Sequence, residues 1–158
     1  MQPQQLYTVG ICVLALIMNT ANAAVLPLES RLGGLAYYDP NLDITWAANA
    51  NINGLGDTWE NQVAWAAGLD IGGVTGWRLP NADVNGDFNF VDCSPGGVAG
   101  CADHEMGYLY WEEGVTTLNP SPFSNVQGGG MSYWSSTEFG PFLTRAYNFQ
   151  FETGAADE

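Results

Sequence analysis

In the stretch "LPNADVNGDFNFVDC", residues 79–93, Asp83, Asn85, Asp87, Asn89 and Asp92 crowd side-chain oxygens into ten positions. Such a run has two chemical uses. Carboxylate and amide oxygens at positions one, three and five of a loop converge when the chain wraps a hard cation, and calcium is the ion that takes this ligand set. The same residue types also cap their own backbone N–H groups in Asx turns, with no metal involved. Both uses remain open. Counting from Asp83 in the EF-hand register puts Phe88 where glycine is required, Val91 at position nine and Ser94 where the bidentate glutamate belongs, so this is not an EF-hand. Asp92 is placed to supply a further carboxylate. A site of this kind would be weak, about 10⁻⁴ to 10⁻³ M, the range of extracellular calcium modules.

Catalytic chemistry finds less support. Ser135, Ser136 and Thr137 offer hydroxyls, but the only histidine is His104 and no Gly-x-Ser-x-Gly elbow surrounds them. Hydroxyls at a strand end serve backbone groups instead. Asp103, His104 and Glu105 are three metal-ligating types in a row, yet neighbours on a helix point in different directions, and acids at a helix N-terminus answer its dipole. Glu112 and Glu113 form the kind of pair used in glycoside hydrolysis. At the end of a short helix they read as solvated. The expectation is a non-enzymatic protein.

Composition narrows the partners. The chain carries 17 acidic residues against three arginines, Arg31, Arg78 and Arg145, and no lysine, for a net charge of −14. Such a charge repels phosphate backbones and anionic lipid surfaces, which argues against nucleic-acid binding and polybasic membrane attachment. Cations, neutral glycans and proteins stay in play. Apolar residues make up 46% of the 158, enough for one domain with a real core.

Residues 1–23 hold no charged side chain, include the apolar run from Val9 to Met18 and end in Ala21-Asn22-Ala23, a small-x-small cleavage pattern. They read as a signal peptide, too short in its apolar part to span a membrane, which needs roughly 20 residues. The expected location is outside the cytoplasm: secreted, periplasmic or on the cell surface. The mature part, 24–158, keeps Cys93 and Cys101, which in an exported chain most economically form one disulfide. Closing a loop of about nine residues is worth roughly 2.5 kcal/mol in the chain-entropy account.

The elements that must position these residues follow from patterning. "LAYYDPNLDITW", from Leu35 to Trp46, predicts a hairpin turning at Asp39-Pro40-Asn41. A helix is expected after Asp57, the N-cap candidate with Glu60 three residues on, with Trp59, Val63 and Ala66 on its apolar face and Gly68 near its end. A shorter helix is predicted over about Asp103 to Trp111. Strands are predicted at Tyr133 to Thr137 and Thr144 to Phe151, and Gly- and Asn-rich loops join the parts. The six tryptophans are expected in the core, with one or two left exposed. This is an α+β domain with a small antiparallel sheet, two helices and long loops. Alternation before Pro80 is expected to turn Trp77 and Leu79 inward and Arg78 to the opposite side, most simply in an internal ion pair.

Three segments in order, "LDITWAANA", "TWENQVAWAAGLDIGGVTGWRLPNAD" and "YWSSTEFGPFLTRAYNFQFETG", resemble the DUF1566 domain, also called the Lcl C-terminal domain. The likeness rests chiefly on Trp77-Arg78-Leu79-Pro80 followed later by Trp134-Ser135-Ser136-Thr137, both read as structural motifs. It implies an exported bacterial domain related in fold to C-type lectins and formylglycine-generating enzymes, binding a ligand or partner protein, with calcium-dependent glycan binding as an alternative. An activity like that of formylglycine-generating enzymes is a further alternative, and it would need a reactive cysteine. Family members can carry a PEP-CTERM sorting tail, and they close the sheet with a strand after the turn that is Phe151-Glu152-Thr153-Gly154 here. Set against that pattern, the expectation is a domain lacking the tail and the closing strand, either as a fragment of a longer protein or truncated at that edge.

Overall fold

The computed structural model describes residues 24–54, 56–87, 101–139 and 145–157. The expected signal peptide, Asn89, Asp92 and the Cys93–Cys101 pairing lie outside these residues. Within them the fold is a small α+β structure with two antiparallel sheets of three strands each, where one sheet was expected. The first joins β1 (Glu29–Arg31), β2 (Ala36–Asp39) and β3 (Ile44–Ala47) in that order. The second joins β4 (Tyr133–Glu138), β5 (Ala146–Gln150) and β6 (Ala155–Asp157). Between them in the chain lie α1 (Trp59–Ala67) and α2 (Glu105–Trp111).

The hairpin forms where patterning puts it, with Asp39 opposite Ile44. Asp39 makes the turn by accepting hydrogen bonds from the backbone N–H groups of Asn41 and Leu42. β1 was not foreseen. Its three exposed residues, Glu29, Ser30 and Arg31, carry no apolar alternation, and pairing with β2 alone makes them a strand.

Helix α1 starts one residue later than the capping pattern indicates. Thr58 is the N-cap and its hydroxyl accepts from Asn61 N, while Asp57 binds the Thr58 N–H and the Asn61 amide from just outside. Its buried row is Gln62 and Ala66, and Val63 faces solvent. The rotation has a cause. The Trp59 indole donates to the Ser135 carbonyl of β4 at 2.8 Å, and the Trp134 indole donates back to the Asp57 carbonyl at 3.2 Å. These reciprocal bonds fix which side of the helix meets the sheet.

The core lies between the sheets and under α2. Met106, Leu109, Val115, Phe123, Phe149 and Phe151 are buried together, and Tyr37 and Trp46 from the first sheet and Tyr133 from the second pack on them. The rings meet edge to face, as for Phe149 with Phe151 at 5.1 Å and Tyr133 with Phe151 at 5.4 Å, the arrangement their quadrupoles prefer. All six tryptophans are only half-buried, contrary to their expected place in the core.

After β5 the chain does not end in a bare edge. Thr153 and Gly154 turn it back, and β6 pairs with β5 through Gln150 and Ala155, Phe149 and Ala156. The turn requires glycine twice over at position 154. Its φ is +72°, and a Cβ would stand 2.5 Å from Tyr110 Cε1 and 2.6 Å from Trp111 Cζ2. Gly154→Ala is therefore expected to destabilise the domain by about 2 to 4 kcal/mol, combining left-handed strain with overpacking. Gly129→Ala, at φ +68° with nothing within 4 Å, should cost about 1 to 2 kcal/mol. Denaturant midpoints of the two variants check the difference.

Candidate functional site

Three structural devices converge around residues 77–87. The first is an ion pair. Extended backbone before Pro80 carries Arg78 to the N-terminus of α2, where its guanidinium donates to both carboxylate oxygens of Glu105, at 2.5 and 2.8 Å. Glu105 is almost fully buried and also accepts from Asn81 N at 2.7 Å, while its own N–H donates to the Asn81 carbonyl. The carboxylate beside it raises the Arg78 pKa, against the opposing pull of burial, so the cation is permanent. Trp77 and Leu79 flank it half-buried rather than in the core.

The second device sews this segment to β4. Ser136 N donates to the Pro80 carbonyl, the Thr137 hydroxyl donates to Asn81 Oδ1, and Ala82 N donates to the Thr137 hydroxyl at 2.9 Å. Ser135 is fully buried and its hydroxyl receives the Thr137 N–H. The Trp-Arg-Leu-Pro and Trp-Ser-Ser-Thr motifs thus lie side by side, and the hydroxyls of the second serve backbone and amide groups.

The third is the acidic loop. Asp83, Asp87 and Asp103 each bring a carboxylate oxygen to within 4.8 Å of the other two. Of the expected set, Asp83 and Asp87 converge; Asn85 instead braces the loop. Its N–H and its amide both donate to Asp103, at 2.8 and 3.2 Å, and its oxygen accepts from Asp87 N. Asp83 Oδ1 meanwhile accepts from the N–H groups of Gly86 and Asp87. Backbone capping and carboxylate convergence coexist in one loop. Asp103, considered in the sequence only with its neighbours His104 and Glu105 and set aside because adjacent helix residues cannot converge, joins instead with Asp83 and Asp87, brought there by the path of the chain.

Its neighbour His104 serves the helix instead. The ring is fully buried, its Nδ1 accepts the Gly107 N–H as the N-cap of α2, and burial holds its pKa down at about 4. The acid pair Glu112 and Glu113 also departs from expectation. Glu112 is exposed, but Glu113 turns back with Oε2 buried.

Beside the ion pair opens a cleft of about 740 Å³. Its walls come from β3, the loop after it, α1, the segment 74–80 and the start of β4. Trp46, Trp65, Trp77 and Trp134 face it, with amides from Asn49, Asn51, Gln62 and Gln127 among them. The charged groups lining it are Arg31, Arg78, Asp57 and Glu105, two of each sign. In a chain of net charge −14 this is a locally neutral surface.

No protein-family model matches the chain, and no curated protein or solved structure was found to match it. No helix among the described residues is long and apolar enough to cross a membrane.

Removing the Arg78 side chain strands a buried carboxylate. Arg78→Ala is expected to lower stability by about 2 kcal/mol, less than a fully buried pair would lose because Arg78 is half exposed. Arg78→Lys should recover only part of this, since an ammonium cannot reproduce the two-pronged contact. Urea unfolding of the three proteins checks the order.

Proposed function

We propose that this protein is an exported, non-enzymatic binding domain at the cell surface or in the extracellular matrix, related in fold to DUF1566 and lectin-like domains, and that its cleft takes a neutral, hydroxyl-rich ligand of the glycan class. One observation carries the reading: a balanced set of charges in the cleft of a strongly acidic molecule, lined by four half-buried indoles and several amides. Half-buried tryptophans present apolar faces to a ligand, and neutral amides orient hydroxyl groups without demanding a charge on the partner. An anionic ligand would meet the long-range repulsion of the whole chain. A partner protein offering such groups is the other occupant in view.

A glycan array probed with the mature protein, followed by titration of the strongest neutral hit against tryptophan fluorescence, tests this. Trp77→Ala should weaken that binding about tenfold or more, equal to about 1.4 kcal/mol, while leaving the circular dichroism spectrum intact. Absence of any neutral hit, or equal affinity in the variant, defeats the assignment to this cleft.

Calcium dependence is a second reading, favoured by the convergence of Asp83, Asp87 and Asp103. Asn89 and Asp92 are candidate additional ligands from the sequence. Millimolar calcium is expected to raise the melting temperature of the wild type by a few degrees, as ligand linkage requires, and Asp87→Asn should abolish the rise. Identical melting in calcium and in chelator leaves the loop an Asx-capped turn.

A further inference from the structure

Apart from the acidic loop, two carboxyls, Asp39 and Glu113, lie close together with no cation among the described residues bonded to either. Asp39 is fully buried in the β2–β3 turn, where Oδ1 receives the N–H groups of Asn41 and Leu42 and Oδ2 receives the Trp46 indole at 3.3 Å. Glu113, just past the end of α2, leans against it. Its Oε1 accepts from the Asn41 amide at 3.0 Å, while Oε2 is buried with no donor. Asn41 in turn clasps Leu26 through both its amide atoms. A carboxylate oxygen buried without a donor is costly, and the cost disappears when that oxygen carries a proton and becomes the donor. Asp39, whose oxygens already receive three hydrogen bonds, is the acceptor beside it.

We propose that Asp39 and Glu113 share one proton, held on Glu113 Oε2, and that this proton latches the β2–β3 hairpin to the end of α2. Its loss to solvent leaves two buried like charges in contact, and the latch loosens. Tyr108 of α2 faces the pair, Glu112 precedes Glu113 just after that helix, and Arg31 and Arg78 are engaged by Glu29 and Glu105. Consistent with this geometry, burial first and Asp39 second push the Glu113 carboxyl up to about 7, against a smaller downward pull from the Asn41 amide. The sign follows from linkage. A carboxyl raised from 4.5 stabilises the fold fully below that value, and the contribution is lost as pH rises through about 7. The latch reaches the cleft through Trp46, which is at once a donor to Asp39 and part of the cleft wall.

Carbon-13 detection of the side-chain carboxyls across pH 4 to 9, with Glu113 assigned by its absence in Glu113→Gln, reads the proton directly in the unliganded wild type. The expected midpoint is near 7, and the Trp46 indole N–H resonance should shift with the same midpoint. In parallel, Glu113→Gln, which keeps a neutral donor in place, should gain about 5 °C or more in Tm over the wild type between pH 5 and pH 8.5. Taking the difference between the two proteins cancels the separate acid sensitivity of His104. A Glu113 midpoint near the ordinary 4.5, or a Trp46 resonance indifferent to it, overturns the proposal. So does a Tm difference that does not change with pH. None of these measurements requires a ligand, so their failure is distinct from failure of the binding assignment.

Discussion

The Arg78 to Glu105 contact is the constraint on which the arrangement turns. A carboxylate with almost no solvent contact survives only with a strong partner, and it has a planar cation on two oxygens and a backbone N–H besides. The consequence is positional. Because Glu105 is the first residue of α2, the pair sets where the helix begins relative to residues 78–82, and the hydrogen bonds from those residues to Ser136 and Thr137 carry the same registration to β4. One side chain thereby relates helix, loop and second sheet, which a domain with so many irregular connections cannot achieve through ladders alone.

The tryptophans show how the scaffold becomes a surface. Trp59 and Trp134 spend their indole N–H groups on holding α1 against β4. Trp77 bonds the Val74 carbonyl of its own loop, which leaves the ring free to wall the cleft. A residue with a large apolar body and one polar edge is suited to this double duty, anchored by the edge and presented by the face. Full burial would have removed them from any ligand; half-burial keeps them rigid and accessible.

Legibility in the sequence divides along contact range. The hairpin, both helices and the strands β4 and β5 stood out because their signals, alternation, capping residues and turn residues, lie within a few positions. The three-residue strands β1 and β6 were invisible, since each is created by its neighbour rather than by its own pattern. The rotation of α1 was misread for the same reason: Val63 has the right spacing, but the indole bonds to β4 decide which face is buried. In the candidate site Asp83 and Asp87 were legible from spacing, whereas Asp103 and the meeting of Asp39 with Glu113 depend on chain paths that no local pattern encodes. Glu113 looked like a solvated helix end because nothing nearby hints that the hairpin turn covers it.

A chain with 17 acids, three arginines and no lysine must stabilise its carboxylates with something other than cations, and backbone amides take that role. Asp39 receives the N–H groups of Asn41 and Leu42, Asp70 that of Gly73, Asp83 those of Gly86 and Asp87, Asp103 that of Asn85, and Glu152 that of Gly130. Charge-assisted bonds to N–H groups are stronger than neutral ones and form only where a turn points the donors inward. The abundance of Asp, Asn and Gly in the loops is therefore one design, with glycine and asparagine shaping turns that solvate the acids from within. The cleft itself stays neutral because two of the three arginines border it, matched by Asp57 and Glu105.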